Sequence, residues 1–268
     1  MNTETGIAEV NETELYYEVA GSGESIVFIN GFGTDTRMWN DQFELFSKEY
    51  QVVRYDNRGF GKSAVPTTDS YSHATDLKCL LEYLGISTTH VIGLSKGGHI
   101  AAEFVLKYPN LVNKLVIADS MIAPILDMHL WKEEVQKSGL DNFLKNLTEG
   151  EILKSAQAHP KVFSLISEML FSYSGWHFLN DDPVEQIIND NAPSPEIIKK
   201  IKAPTLILIG ELEKGTRRGN KIMEIGNMFE SNVPNSKKII LPGVGHMSNM
   251  ENPRNFNREV LNFLKEGH

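Results

Sequence analysis

Short apolar runs separated by helix-like patterns constrain this chain more than any other feature. Six runs from residue 25 onward are almost continuously apolar: "SIVFIN" (25–30), "QVVRYD" (51–56), "THVIGL" (89–94), "KLVIAD" (114–119), "PTLILIG" (204–210) and "KKIILP" (237–242). A strand covered on both faces needs such a run, whereas a strand with one wet face alternates. Between the runs, "MWNDQFELFSKEY" (38–50), "DLKCLLEYLG" (76–85), "GHIAAEFVLKYP" (98–109) and "PRNFNREVLNFLKEG" (253–267) carry apolar residues at helical spacing. Gly85 and Pro109 stand where helices end. The alternation predicts an α/β architecture, a mostly parallel sheet with helices on both faces. Two earlier runs, "GIAEV" (6–10) and "ELYYEVA" (14–20), alternate and predict an antiparallel edge hairpin, giving eight strands.

The rhythm stops between Met121 and Pro204, where only helical patterns and polar loops such as "LNDDPVEQ" and "NAPSPE" occur. The expected organisation is a core made of residues 1–120 and 203–268, with residues 121–202 inserted as a helical cap. Trp131, Phe163, Phe171, Tyr173, Trp176 and Phe178 are expected to form mostly cap core, with one or two facing a pocket. Met121, Met128 and Met169 suit an apolar or mixed pocket equally well.

A net charge of −9 argues against a nucleic-acid surface and against an anionic membrane as partner, since both need a concentrated positive field. No apolar stretch reaches the ~20 residues that span a bilayer. The start, "MNTETGIAEV", has neither a basic segment nor an apolar core of the kind a secretory signal carries, so a cytoplasmic protein is expected. The single cysteine, Cys79, suits a reducing compartment and reads as a buried thiol on a helix.

Chemistry concentrates in "HVIGLSKGGHIAAEF" (90–104). A G-x-S-x-G pattern between a strand and a helix makes a sharp turn that holds a serine hydroxyl above the sheet. Gly93, Gly97 and Gly98 are required where a side chain would strike the elements packed alongside, which makes Ser95 the candidate nucleophile. A serine hydroxyl needs a base at neutral pH. Of eight histidines, His246 in "LPGVGHMSNMENP" sits in a glycine-flanked loop beyond a late strand and follows the serine in chain order. An acid must orient that imidazole. Glu213, three residues past Gly210, is the leading candidate, with Asp119 and then Glu211 as alternatives.

Small residues in "FINGFGTD" allow the loop after the third strand to approach the serine, so the main-chain N–H groups of Phe32 and Lys96 are expected to hold an oxyanion. The Lys96 side chain is expected to extend to solvent or to pair with a cap carboxylate.

Together these segments resemble the α/β-hydrolase superfamily over nearly the whole chain. "NGFG" is similar to its oxyanion loop, "RYDNRGFGKS" (54–63) to its Asp-x-Arg-Gly-x-Gly-x-Ser turn, "GLSKGG" to its nucleophile elbow and "GVGHMSNMENP" to its histidine loop. "NGFGTDTRMW" with "VVRYDNRGFGKS" is most similar to 3-oxoadipate enol-lactonases and related small esterases. The resemblance implies the α/β-hydrolase fold, with Ser95 as nucleophile, His246 as base, and Phe32 and Lys96 as donors. The chain departs from the family in having Glu213 where aspartate is usual and a lysine after the nucleophile. Asp56 and Arg58 are expected to pin the 56–63 turn as a charged pair rather than to act in catalysis.

The leading expectation is hydrolysis of a small-molecule ester or lactone through an acyl-enzyme on Ser95, without metal or organic cofactor. One alternative is cleavage of a C–C bond in a β-diketone, or cofactor-free perhydrolysis, by the same residues. Another is a non-catalytic, ligand-binding member of the fold.

Overall fold

The computed structural model of the chain describes residues 2–125, 128–188 and 193–267. Eight strands form one sheet: β1 (Thr3–Val10), β2 (Thr13–Ala20), β3 (Ser25–Ile29), β4 (Gln51–Tyr55), β5 (Thr89–Leu94), β6 (Val112–Ala118), β7 (Thr205–Gly210) and β8 (Ser236–Leu241). Their order is β1-β2-β4-β3-β5-β6-β7-β8. The β1–β2 hairpin is antiparallel, and β2 joins β4 antiparallel, while every later pairing is parallel. The alternating runs therefore lie at one edge and the continuous runs β3 to β7 lie inside, as two-sided burial demands, while the continuous run of β8 forms the other edge and is only partly buried.

The helices are α1 (Asn40–Phe46), α2 (His73–Tyr83), α3 (Lys96–Lys107), α4 (Met128–Ser138), α5 (Leu140–Glu149), α6 (Pro160–Ser172), α7 (Trp176–Leu179), α8 (Pro195–Ile198), α9 (Arg217–Asn232), α10 (Ser248–Glu251) and α11 (Pro253–Lys265). Period-2 alternation divides the central strands between two cores. Val27, Ile29, Val91, Ile117 and Ile207 face a layer with Leu77 of α2, Ile100 and Phe104 of α3, and Phe229 of α9. Ile26, Phe28, Ile92, Val116 and Leu208 face the other layer, with Phe43 of α1 and Phe256 and Val260 of α11. Phe28 stacks on Trp39 at 4.7 Å, and Phe46 meets its edge at 5.6 Å.

Between β6 and β7 the described residues form helices, α4 to α8, joined by turns and irregular chain, with one isolated bridge from Val184 to Tyr71. A third apolar cluster there joins Val135, Phe143, Leu144, Tyr173 and Phe178 to Phe60 of the 56–63 turn. Phe171, expected to be buried, instead faces outward. Among the described residues no helix is long and apolar enough to cross a membrane.

The 56–63 turn is not held by an Asp56–Arg58 pair, as the sequence suggests. Asp56 accepts main-chain N–H bonds from Thr36 (2.7 Å) and Lys62 (2.8 Å), and burial pushes its pKa up to about 6. Arg58 reaches the other way and binds Asp76 of α2 through two bonds of 2.7 and 3.0 Å. The two side chains are each only 1% exposed, so neither charge has water as an alternative partner. Arg58→Met strands the Asp76 carboxylate and is expected to lower stability by about 3–5 kcal/mol in urea titration. A loss below about 1 kcal/mol would contradict the pairing.

Candidate active site

The β5–α3 junction explains why the chain places glycines around Ser95. Ser95 has φ 56° and ψ −119°, a conformation that strains any residue with a Cβ. The tight turn presses α3 against the sheet. A Cβ on Gly93 would strike the Gly97 carbonyl oxygen, and one on Gly97 would strike the carbonyl oxygen of Ile29. The turn is fixed by Ser95 N–H donating to Ala118 O (2.9 Å) and by the Ser120 hydroxyl donating to Ser95 O (2.6 Å). The result is a half-buried serine at the N-terminus of α3, over the carboxyl ends of the parallel strands.

His246 comes to this serine from 151 positions away, with its Nε2 3.0 Å from Ser95 Oγ. Its loop is clamped from below. Glu251 of α10 accepts from the N–H groups on both sides of the histidine, Gly245 (2.8 Å) and Met247 (3.2 Å). The hydroxyl of Ser155 adds a third bond to Glu251, at 2.9 Å.

The acid nearest the other ring nitrogen is Glu213, with Oε1 3.5 Å from His246 Nδ1. The chain leaves β7 in a single 3-10 turn, Glu211–Glu213, and Thr216 and α9 follow. Glu213 is also held by Arg218, whose Nη2 donates to the same Oε1 at 2.6 Å. That bond takes the oxygen nearest the imidazole, and His246 Nδ1 makes no hydrogen bond. Asp119 is spoken for elsewhere. It accepts from Gly210 N–H at 2.7 Å and from the Ser248 hydroxyl, which ties the end of β6 to β7 and α10. Glu211 is exposed and accepts from Gly243 N–H at 3.1 Å.

Phe32 lies in the loop after β3, which Asn30 fastens to the neighbouring turn. The Asn30 side-chain amide donates to Tyr55 O (2.8 Å), and that of Asn57 returns a bond to Asn30 O (3.1 Å). Among the described residues the main-chain N–H groups of Phe32 and Lys96 have no protein acceptor. The Lys96 side chain does not take either expected course. Its ammonium lies 5.8 Å from the ring centroids of both Phe32 and Phe60. Among the described residues it forms no ion pair.

Burial lowers the His246 pKa well below that of an ordinary imidazole, and the Arg218 charge lowers it further. The neutral ring is therefore the resting form, able to accept a proton at neutral pH. Burial raises the Glu213 pKa, with Arg218 opposing that rise.

Sequence reasoning brought together Ser95, His246, Glu213, Phe32 and Lys96, and it missed Arg218 and Glu251. A clue to Arg218 was present: Thr216 in "KGTRRGN" is a helix N-cap residue, which puts the following arginines on the first turn of a helix beside the acid. Glu251 carried no comparable signal.

The chain has the α/β-hydrolase fold, and the family model for the alpha/beta hydrolase fold matches residues 24–146. Among its relatives, a 2-hydroxy-6-oxononadienedioate/2-hydroxy-6-oxononatrienedioate hydrolase of Pseudomonas putida is 27% identical, over 95% of this chain and 92% of the relative. The solved enol-lactonase of Burkholderia xenovorans superposes with a TM-score of 0.79 at 22% identity, covering 97% of this chain and all of that one. A thermophilic esterase of Thermogutta terrifontis superposes with a TM-score of 0.81 at 23% identity, covering 98% of each chain.

The two charges acting on the imidazole predict its titration. His246 is expected to titrate below the ordinary value of about 6.5, read from its ring proton resonances. Arg218→Met removes a positive charge and leaves Glu213 free to face the ring. Both changes favour the protonated imidazole, so its pKa should move upward. A fall, or no movement, would show that Arg218 does not act on the ring.

Proposed function

We propose that the chain is a serine hydrolase that cleaves a small carboxylic ester or lactone through an acyl-enzyme on Ser95. The observation carrying this reading is the 3.0 Å approach of His246 Nε2 to the Ser95 hydroxyl at a strained strand–helix turn. In the first step Ser95 Oγ attacks the carbonyl carbon while its proton passes to His246 Nε2. The carbonyl oxygen becomes an oxyanion held by the N–H groups of Phe32 and Lys96, at the positive end of α3. Collapse expels the alcohol, which takes the proton back from His246. Water then attacks the acyl-serine by the same route, with His246 as base and then acid. Glu213 acts through the ring, by favouring the tautomer with its proton on Nδ1 and by offsetting the imidazolium charge. Residues 121–202 serve as the cap that closes over the substrate and selects it.

A second reading has its own support. The Pseudomonas putida relative is named for an oxo-dicarboxylate that contains neither ester nor lactone. Adding water across such a ketone breaks a carbon–carbon bond, and the same nucleophile, base and oxyanion donors suit that reaction.

A fluorophosphonate probe is expected to label Ser95 in the intact protein and to leave Ser95→Ala unlabelled. On 4-nitrophenyl butyrate, Ser95→Ala should lower kcat/KM by about 10³-fold or more, and Glu213→Gln by about 10²-fold or more. Folded protein that takes up no label would overturn the serine-hydrolase reading in favour of a ligand-binding protein. Labelling without ester or lactone turnover, but with cleavage of a β-diketone, would select the second reading.

A further inference from the structure

The reaction above uses the main-chain N–H of Lys96 and leaves its side chain without a task. That side chain is unusual among the enclosed cations of this protein. Arg54 pairs with Glu18 at 2.6 Å, Arg58 with Asp76 at 2.7 Å and Arg218 with Glu213 at 2.6 Å. Lys96, next to the candidate nucleophile, has no carboxylate within ion-pair range among the described residues.

Its surroundings are built rather than accidental. The ammonium sits 5.8 Å from the Phe32 and Phe60 ring centroids, and the two rings meet edge to face at 5.2 Å. Phe60 is buried and stacks on the His177 ring at 4.4 Å, while the Tyr173 hydroxyl shares a hydrogen bond of 2.6 Å with His177 Nδ1. This fixed aromatic wall positions the lysine from one side. Burial and the Lys96 charge push the pKa of His177 down to about 2, so that ring brings no competing charge.

The acids whose fields reach Lys96, Asp182 and Glu103, are committed to other donors. Asp182 accepts from the Tyr71 hydroxyl at 2.8 Å, and Glu103 from the N–H groups of Ile187 and Ile188 at 2.6 and 3.0 Å. An ammonium has three N–H donors, and aromatic faces replace lost hydration only in part. Lys96 is half-buried, so a path from solvent to it remains.

We propose that Lys96 is a specificity-determining residue that binds a carboxylate of the substrate, so that the site prefers acyl compounds carrying a free acid group several bonds from the scissile carbonyl. The proposal rests on the serine-hydrolase reading. A single residue contributes to both ends of the substrate. Its N–H meets the carbonyl oxygen, and its four-carbon stem sets the distance to the carboxylate. The Phe32 ring lies under the ammonium and the preceding Gly31 lies against the Ser95 side chain, so one loop supports both contacts. The bound carboxylate supplies the counter-charge that the protein withholds.

The test compares two esters of similar size, 4-nitrophenyl hemiglutarate and 4-nitrophenyl valerate. The kcat/KM ratio of the hemiester to the neutral ester is expected to exceed 10, and to fall at least tenfold in Lys96→Met and in Lys96→Gln. Lys96→Arg should keep most of the ratio, because it retains the charge. A substitution that merely disturbs the turn slows both esters alike, and an unchanged ratio overturns the proposal. So does a native ratio near one.

If neither ester turns over, the hydrolase reading has failed, and binding decides the matter separately. Glutarate titrated into Ser95→Ala is expected to bind at least tenfold more tightly than to the Ser95→Ala, Lys96→Met double variant. Equal affinity, or no binding to either, overturns the proposal.

Discussion

Main-chain contact between β3, β5 and the start of α3 is the constraint on which the rest of the site depends. The Gly97 α-carbon lies against the Ile29 carbonyl, and Gly93 against the Gly97 carbonyl, with no room for a methyl group at either. The turn can therefore be sharp enough to raise Ser95 into a positive-φ conformation. The same contact brings the loop after β3 alongside the serine, as the proposed oxyanion donors Phe32 and Lys96 require. Strain at Ser95 is offset by bonds from neighbouring strands, through Ala118 and Ser120, rather than by anything local. Ser95 is thus positioned by the sheet, and its geometry is as stable as the core beneath it.

His246 and Glu213 are placed differently, by loops fastened to each other. Glu251 fixes the main chain on both sides of His246, and Leu212 N–H donates to Val244 O at 2.9 Å, tying the acid's turn to the histidine loop. Asp119, though close in chain position to β6, works as a brace between β7 and α10. Its raised pKa comes first from burial, and its two bonds work against that rise. Glutamate at 213 suits this arrangement because Arg218 shares its carboxylate. The longer side chain spans between an arginine on α9 and an imidazole on the opposite loop. Arg218 holds the carboxylate in its charged form while competing with the imidazole for Oε1. In the proposed reaction the two effects oppose each other, and the proton taken from Ser95 shifts the balance toward the imidazole.

The sheet was legible because burial on two faces leaves a strong trace in sequence, and β3 to β7 carry it. The elbow was legible because steric exclusion restricts Gly93 and Gly97 to one residue type. His246 stood out by its glycine-flanked loop after a late strand. What escaped shares a physical cause: side chains whose partners depend on directions that spacing does not encode. Asp56 and Arg58 lie two residues apart and point to different neighbours, one to backbone amides and the other to α2. The position of Lys96 becomes visible only once Phe32 and Phe60 are seen together on one side of its ammonium. Glu251 resembles any helix-initiating acid until its two oxygens are traced to the histidine loop.

The aromatic cluster around Phe32 couples these parts. Its ring contacts Trp131, Tyr173, His177 and Phe178, at centroid distances between 5.5 and 6.0 Å, as well as Phe60. All four partners come from the segment between β6 and β7, whereas the Phe32 main chain belongs to the loop beside Ser95. Opening the helical segment would remove neighbours from the Phe32 ring and from the wall under the Lys96 ammonium in the same motion. Interiors packed this closely shift between discrete arrangements rather than deform smoothly. The helical segment and the loop beside Ser95 are therefore mechanically one unit, supported on Phe60 and its turn. A change of residue in the helical segment then reaches the Phe32 loop through ring packing, without touching the serine or the histidine.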